Sequence, residues 1–244
     1  MKRLLPFLII LAVLGIALGS AWYAVSYLGS PSNPPAGTVS TASPGSSGSP
    51  SSTVSNRATP QTVTAPGATP PHTKGPASAK VTLEEFGDFE CPPCALFHPI
   101  LKQMHQEFGD RVRIIFREYP LAPPHEHAVA AASAAEAAAL QGRFWEMHHK
   151  LYDNQKAWHE VVDSRPIFED YAKQIGLNIE QFKRDINSDT VARRITEDQK
   201  RGRSMNLRGT PTVFMNGREV PFETIMDAGR FRNAINAELA NSSR

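Results

Sequence analysis

The stretch Glu84–Ile100, EEFGDFECPPCALFHPI, holds both cysteines of the chain, with only Pro92 and Pro93 between Cys91 and Cys94. The residues around the pair change character at the first cysteine. Before it, VTLEEFGDF from residue 81 is rich in β-favouring residues. After it, Leu96, Ile100, Leu101, Met104 and Phe108 recur near a period of 3.6 and predict a helix, with Pro99 inside it as an expected kink. A strand therefore runs into a helix at the cysteines. RVRIIFREYPL, from residue 111, reads as a second strand whose imperfect alternation suggests burial on both faces, and together these segments form a βαβ unit.

Helical patterns follow. The alanine-rich HEHAVAAASAAEAAALQG leads into RFWEMHHKLYDNQ, and further helices are predicted near residues 165–175, 179–187 and 190–205. β character returns only at GTPTVFMNGREVPF, residues 209–222, where Asn216-Gly217 between two short apolar runs is a strong hairpin signal. A last helix is predicted over about 224–239. The order is βαβ, a helical insert at about 122–206, then ββα.

The N-terminal part is different. Lys2 and Arg3 precede an uncharged run from Leu4 to Leu28 that ends in Trp22, Tyr23 and Tyr27. As a helix this run reaches roughly 38 Å, enough to cross a hydrocarbon core of about 30 Å. The aromatic residues would lie at the outer interface, and the leading positive charge keeps the N-terminus cytoplasmic. Residues 1–28 are therefore expected to be a membrane anchor, with a signal peptide cleaved near Gly19 and Ala21 as the alternative. In both cases the remainder is exported to a compartment where thiols meet oxidants. Residues 29–76, rich in Ser, Thr, Pro and Gly, read as a disordered linker with a reach of roughly 40 Å. The folded domain is expected over 77–244. A net charge of +2, with Lys and Arg interspersed among Asp and Glu, calls for no nucleic-acid partner.

Taken together, FGDFECPPC, GTPTVFMNG and QGRFWEMHHKLYDNQ resemble the DsbA-like branch of the thioredoxin superfamily, over roughly residues 79–240. The resemblance implies an α/β thioredoxin fold (βαβ…ββα) with an inserted helical domain, here preceded by an anchor and a linker. It implies an extracytoplasmic thiol-disulfide oxidoreductase that needs no cofactor, acts on exported proteins and is recycled by a membrane redox partner. Glu85 falls where the family places a buried carboxylate, which could pass protons to or from Cys94. Thr210-Pro211 matches the family's cis-proline loop, where the backbone of Thr210 is available to a substrate strand.

The chemistry of the pair can also be argued from its place. At a helix N-cap, the Cys91 sulfur faces free N–H groups and the positive end of the helix dipole, which favour thiolate over thiol. Cys91 is therefore the candidate nucleophile. Cys94, one turn on, is placed to attack a mixed disulfide on Cys91 and so to resolve it. Pro92 and Pro93 supply no charge, and Pro93 removes an N–H, so the redox direction stays open: oxidase first, reductase or isomerase as the alternative. Three readings compete with redox chemistry: a structural disulfide, a zinc site of Cys91, Cys94, His98 and one more histidine, and a chaperone-like peptide binder. His125, His127, His148, His149 and His159 show no recurring ligand spacing, so solvated or capping roles are expected and no metal is assigned. Phe144, Trp145 and Met147 are expected in the core of the insert.

Overall fold

In the computed structural model, which describes residues 64–242, the expected strands and helices form around a five-stranded mixed sheet. The elements before the insert are β1 (His72–Lys74), β2 (Val81–Gly87), α1 (Pro92–Phe108) and β3 (Val112–Glu118). The insert comprises α2 (Ala128–Ala139), α3 (Phe144–Asp153), α4 (Gln155–His159), α5 (Arg165–Gln174), α6 (Ile179–Asp185) and α7 (Asp189–Ser204). The chain ends with β4 (Thr212–Met215), β5 (Arg218–Val220), α8 (Phe222–Ile225) and α9 (Ala228–Asn241). The strand order is β1-β3-β2-β4-β5. β2 runs parallel to β3, and the remaining pairs are antiparallel.

The apolar pattern of each element explains where it packs. Val81 and Leu83, two residues apart on β2, point to one face of the sheet. There they meet Phe97, Leu101 and Met104 of α1 and Phe231 and Ile235 of α9. Glu85 continues the same alternation and so lies on the face that α1 covers. Helix α1 runs through Pro99 without interruption. A second core fills the insert, where the alanines of α2 allow Phe144, Met147, Leu151, Trp158 and Phe168 to pack closely against them. Trp145 is half-buried, packs against both cores and donates from Nε1 to Thr73 O at 3.0 Å. Ser188 and Asn178 cap α7 and α6 through their side chains. The expected last helix is two, α8 and α9, with the Asp227 side chain capping the second.

The hairpin stands as expected. Asn216 and Gly217 take φ of 48° and 80°, the left-handed pair that a type I′ turn requires. Asn216 also ties the turn to the sheet and to α9. Its Oδ1 accepts from Thr82 N at 2.8 Å, and its Nδ2 donates to Lys80 O and to Glu238 Oε1. Asn216→Ala is expected to cost about 1–2 kcal/mol of stability, read as a lowered urea midpoint; an unchanged midpoint would mean that these bonds add nothing net.

The ordered domain starts earlier than the composition suggested. Residues 64–76, read as the end of the linker, are part of the fold, and β1 adds an edge strand to β3. What holds them is a buried ionic cluster. Arg117 Nε donates to Glu84 Oε1 at 2.8 Å, Arg201 Nη2 to Glu84 Oε2 at 2.8 Å, and Arg117 Nη1 to Asp198 Oδ1 at 3.0 Å. The same groups bind the incoming backbone: Arg117 donates to Ala68 O, Arg201 to Ala65 O, and Asp198 accepts from Ala68 N at 2.7 Å. Gly67 sits against this cluster at φ +79°, and a Cβ there would lie 2.8 Å from Arg117 Nη1. The expected membrane anchor and most of the expected linker fall at residues 1–63, outside the described residues. No helix among the described residues is long and apolar enough to cross a membrane.

Candidate active site

β2 ends at Gly87, and after three intervening residues the chain enters α1 with Cys91 as its N-cap, in an extended conformation, and Pro92 in the first turn. Gly87 is required by packing: a Cβ would lie 2.5 Å from the Phe116 ring and 2.8 Å from the Tyr152 hydroxyl. The turn is closed by Cys91 N donating to Asp88 O and by Cys94 N donating to Cys91 O, both at 3.1 Å. Cys91 and Cys94 are free thiols, 5% and 0% exposed.

The two sulfurs have opposite electrostatics. The Cys91 thiol is pulled down to about 6, first by a hydrogen bond from the Cys94 side chain and further by Thr210 and the Cys94 backbone N–H, against burial and the charge of Asp88. Cys94 is pushed well above its ordinary value by burial, then by its partner sulfur and by Glu85. Glu85 is 2% exposed, and burial alone raises its carboxyl to about 8. Neither glutamate of the Glu84-Glu85 pair is a solvated strand residue. Alternation sends Glu85 under α1 and Glu84 into the ionic cluster, where Arg201 and Arg117 hold its carboxyl low despite burial.

The pairing of β4 with β2 brings residues 209–212 alongside the end of β2, since Phe86 faces Thr212. Thr210-Pro211 is a cis peptide, and the Cys91 thiol donates to Thr210 O at 3.3 Å. A cavity of about 310 Å³ opens beside this loop, lined by Arg208, Thr210, Pro211, Glu219 and the half-exposed Phe222.

Several contributors were not legible in advance. Asp88 and Glu90, flanking Phe89 in the loop before Cys91, are buried. Asp88 accepts from Glu90 N and Leu121 N and lies 2.6 Å from His125 Nδ1. Glu90 accepts from His127 N and lies 3.2 Å from His159 Nδ1. Gln155, at the start of α4, donates to Phe89 O at 2.7 Å and to Cys91 O at 3.1 Å. The insert therefore grips the cysteine loop directly. Of the five histidines expected in solvated or capping roles, His148 is buried in the core instead, and His127 is buried at the N-cap of α2. His98, weighed as a zinc ligand beside the cysteines, groups instead with His148 and His149.

A protein-family model described as Thioredoxin matches residues 68–237. The chain belongs to the thioredoxin family. Its fold is DsbA-like within that family, as two solved structures illustrate. Oxidised BdbD from Bacillus subtilis is 25% identical, with a TM-score of 0.61, the match covering 72% of this chain and 98% of that one. The thiol-disulfide exchange protein alpha-DsbA2 from Wolbachia pipientis is 21% identical, with a TM-score of 0.59, covering 68% and 86%. The Na(+)/H(+) antiporter NhaA 1 of Mycolicibacterium vanbaalenii is 40% identical over 150 residues, or 60% of this chain. The matched stretch is 23% of that antiporter, so the thioredoxin-family chain spans under a quarter of the curated relatives it matches.

Proposed function

We propose that this protein is a thiol-disulfide oxidoreductase that donates its Cys91–Cys94 disulfide to exported proteins. Residues 1–28 would anchor it in the cytoplasmic membrane, with the catalytic domain outside and a membrane redox partner restoring the disulfide. The observation that carries the reading is the split between the two sulfurs: Cys91 held low at the end of a helix, Cys94 buried and held high. A substrate thiolate attacks Cys91 Sγ, forming the mixed disulfide as the Cys91–Cys94 bond breaks. The electron pair leaves on Cys94 Sγ, which needs a proton because its thiol is the stable form. Glu85, protonated at neutral pH by burial, can supply that proton. A second substrate thiolate then attacks the substrate sulfur and expels Cys91 as a thiolate, a good leaving group at its lowered pKa. Two electrons have passed from substrate to enzyme. The groove beside Thr210 and Phe222 offers the substrate backbone and an apolar side chain a place to lie.

A glutathione redox titration tests the direction. A potential above about −200 mV is expected for an oxidase, whereas a value near about −270 mV, as for thioredoxin, would make the protein a reductase. Glu85→Gln keeps the shape and removes the titrating proton. It is expected to slow release of Cys94 about tenfold and to flatten the dependence of that step on pH near 8, followed by stopped-flow fluorescence. An unchanged pH profile would remove Glu85 from the proton path.

A further inference from the structure

Behind the redox pair, three histidines from two elements converge. His98 lies on α1 one turn beyond Cys94, and His148 and His149 are neighbours on α3. One ring nitrogen of each falls within 4.8 Å of the others. His148 is 2% exposed and His98 4%. Among the described residues, neither ring nitrogen of His148 has a hydrogen-bond partner, nor has Nδ1 of His149 or Nε2 of His98. His98 Nε2 lies 3.4 Å from Asp153 Oδ1, without hydrogen-bond geometry. Leaving buried polar nitrogens unpaired costs about 1–3 kcal/mol each, so several in one place call for an explanation beyond packing.

Aromatic neighbours orient the rings. His148 meets the Phe116 ring edge-on at 4.7 Å and Trp145 at 5.1 Å, and His98 stacks on Tyr152 at 5.2 Å. A cavity of about 20 Å³, room for about one small ion or water, is lined by the three histidines together with His105, Leu101 and Trp145. Burial, followed by the charges of neighbouring histidines or lysines, lowers all three pKa values, that of His98 to about 4. They are therefore neutral at neutral pH, the form of imidazole that binds metal.

We propose that His98, His148 and His149 form a zinc site, with Asp153 as the fourth ligand. Imidazole suits zinc, and three nitrogens with one carboxylate oxygen satisfy its tetrahedral preference. Zn–N bonds of about 2.0–2.1 Å bring ligand atoms within roughly 3.4 Å of one another, so the site must tighten. His149, half-buried, and Asp153, whose side chain is 54% exposed, are the members free to move. Lys74 and Lys102 face the same cavity and work against a divalent ion; Asp153 and Glu146 offset them. A bound ion would fasten the redox helix to the insert, and it uses neither catalytic cysteine.

The test uses the full chain in its oxidised form, where the Cys91–Cys94 disulfide cannot ligate metal, titrated calorimetrically with zinc chloride alone. One zinc per chain is expected, with a Kd in the micromolar range or below and an unfolding temperature that rises with zinc concentration. His149→Ala and His98→Gln are each expected to weaken binding at least about tenfold while leaving the zinc-free unfolding transition cooperative. His148→Ala removes the most buried ligand, and the other two variants carry the test if it does not fold. A Kd weaker than about 1 mM, or binding that survives both variants, overturns the site.

Discussion

Cys91→Ser is expected to abolish disulfide exchange altogether, and Cys94→Ser to leave a protein that attacks disulfides and then stays bound to them. The asymmetry follows from the two environments. With its pKa near 6, Cys91 is largely thiolate at pH 7, so it is the sulfur that an alkylating reagent should meet first. Cys94, held protonated by burial and by its partner sulfur, contributes little thiolate at that pH. Iodoacetamide should label Cys91 with a midpoint near pH 6 and leave Cys94 unmodified until well above pH 8. Oxidation of a dithiol peptide by Cys91→Ser should fall to the uncatalysed rate. Non-reducing gels of Cys94→Ser mixed with disulfide-containing proteins should show accumulated mixed disulfides. Faster labelling of Cys94 than of Cys91 would reverse the assignment of nucleophile and resolving thiol.

The parts of this protein that could be read from its residues are those set by local chemistry. The passage from VTLEEF into Cys-Pro-Pro-Cys marks a strand, a turn and a helix N-terminus, because β-branched residues, a cysteine cap and a first-turn proline each have local preferences. Asn216-Gly217 is legible for the same reason, since few dipeptides accept two positive φ values. What could not be read depends on partners distant in the chain. β1 lies in the proline-rich sequence TPPHTKG, and nothing in it alternates. It becomes a strand because β3 offers an edge and because Arg117, Asp198 and Arg201 capture the backbone at 65–68. Glu84 and Glu85 look alike in sequence, yet the pleat of β2 puts one among arginines and the other beneath α1. Gln155 reaches the redox loop across 64 residues of chain, and His98 meets His148 only because the insert folds back onto α1.

The reduced form is expected to gain stability relative to the oxidised form as pH rises from about 6, and to overtake it toward pH 8. Cys91 has a folded pKa near 6 against an ordinary value of 9.0. A depressed pKa stabilises the fold above the unfolded value, and that contribution is lost as pH falls through the folded one. Below pH 6 it is absent. Above pH 6 it grows with pH, by on the order of 1 kcal/mol for each pH unit. Cys94 does not cancel this over the same range: its raised pKa keeps it a thiol in both states below about pH 8. The oxidised protein has no thiolate to lose, and its disulfide, closing a loop of four residues, constrains the unfolded chain by about 2 kcal/mol at every pH, an offset that the thiolate contribution overtakes as pH rises toward 8. Urea unfolding of both forms at pH 5.5, 7 and 8 reads the difference directly. Since about 1.4 kcal/mol corresponds to about 30 mV for a two-electron couple, the stability gap is also the drive to give the disulfide away. A disulfide form that is clearly the more stable at pH 8 would mean that the pair prefers to keep its bond, and the protein would then be a reductase.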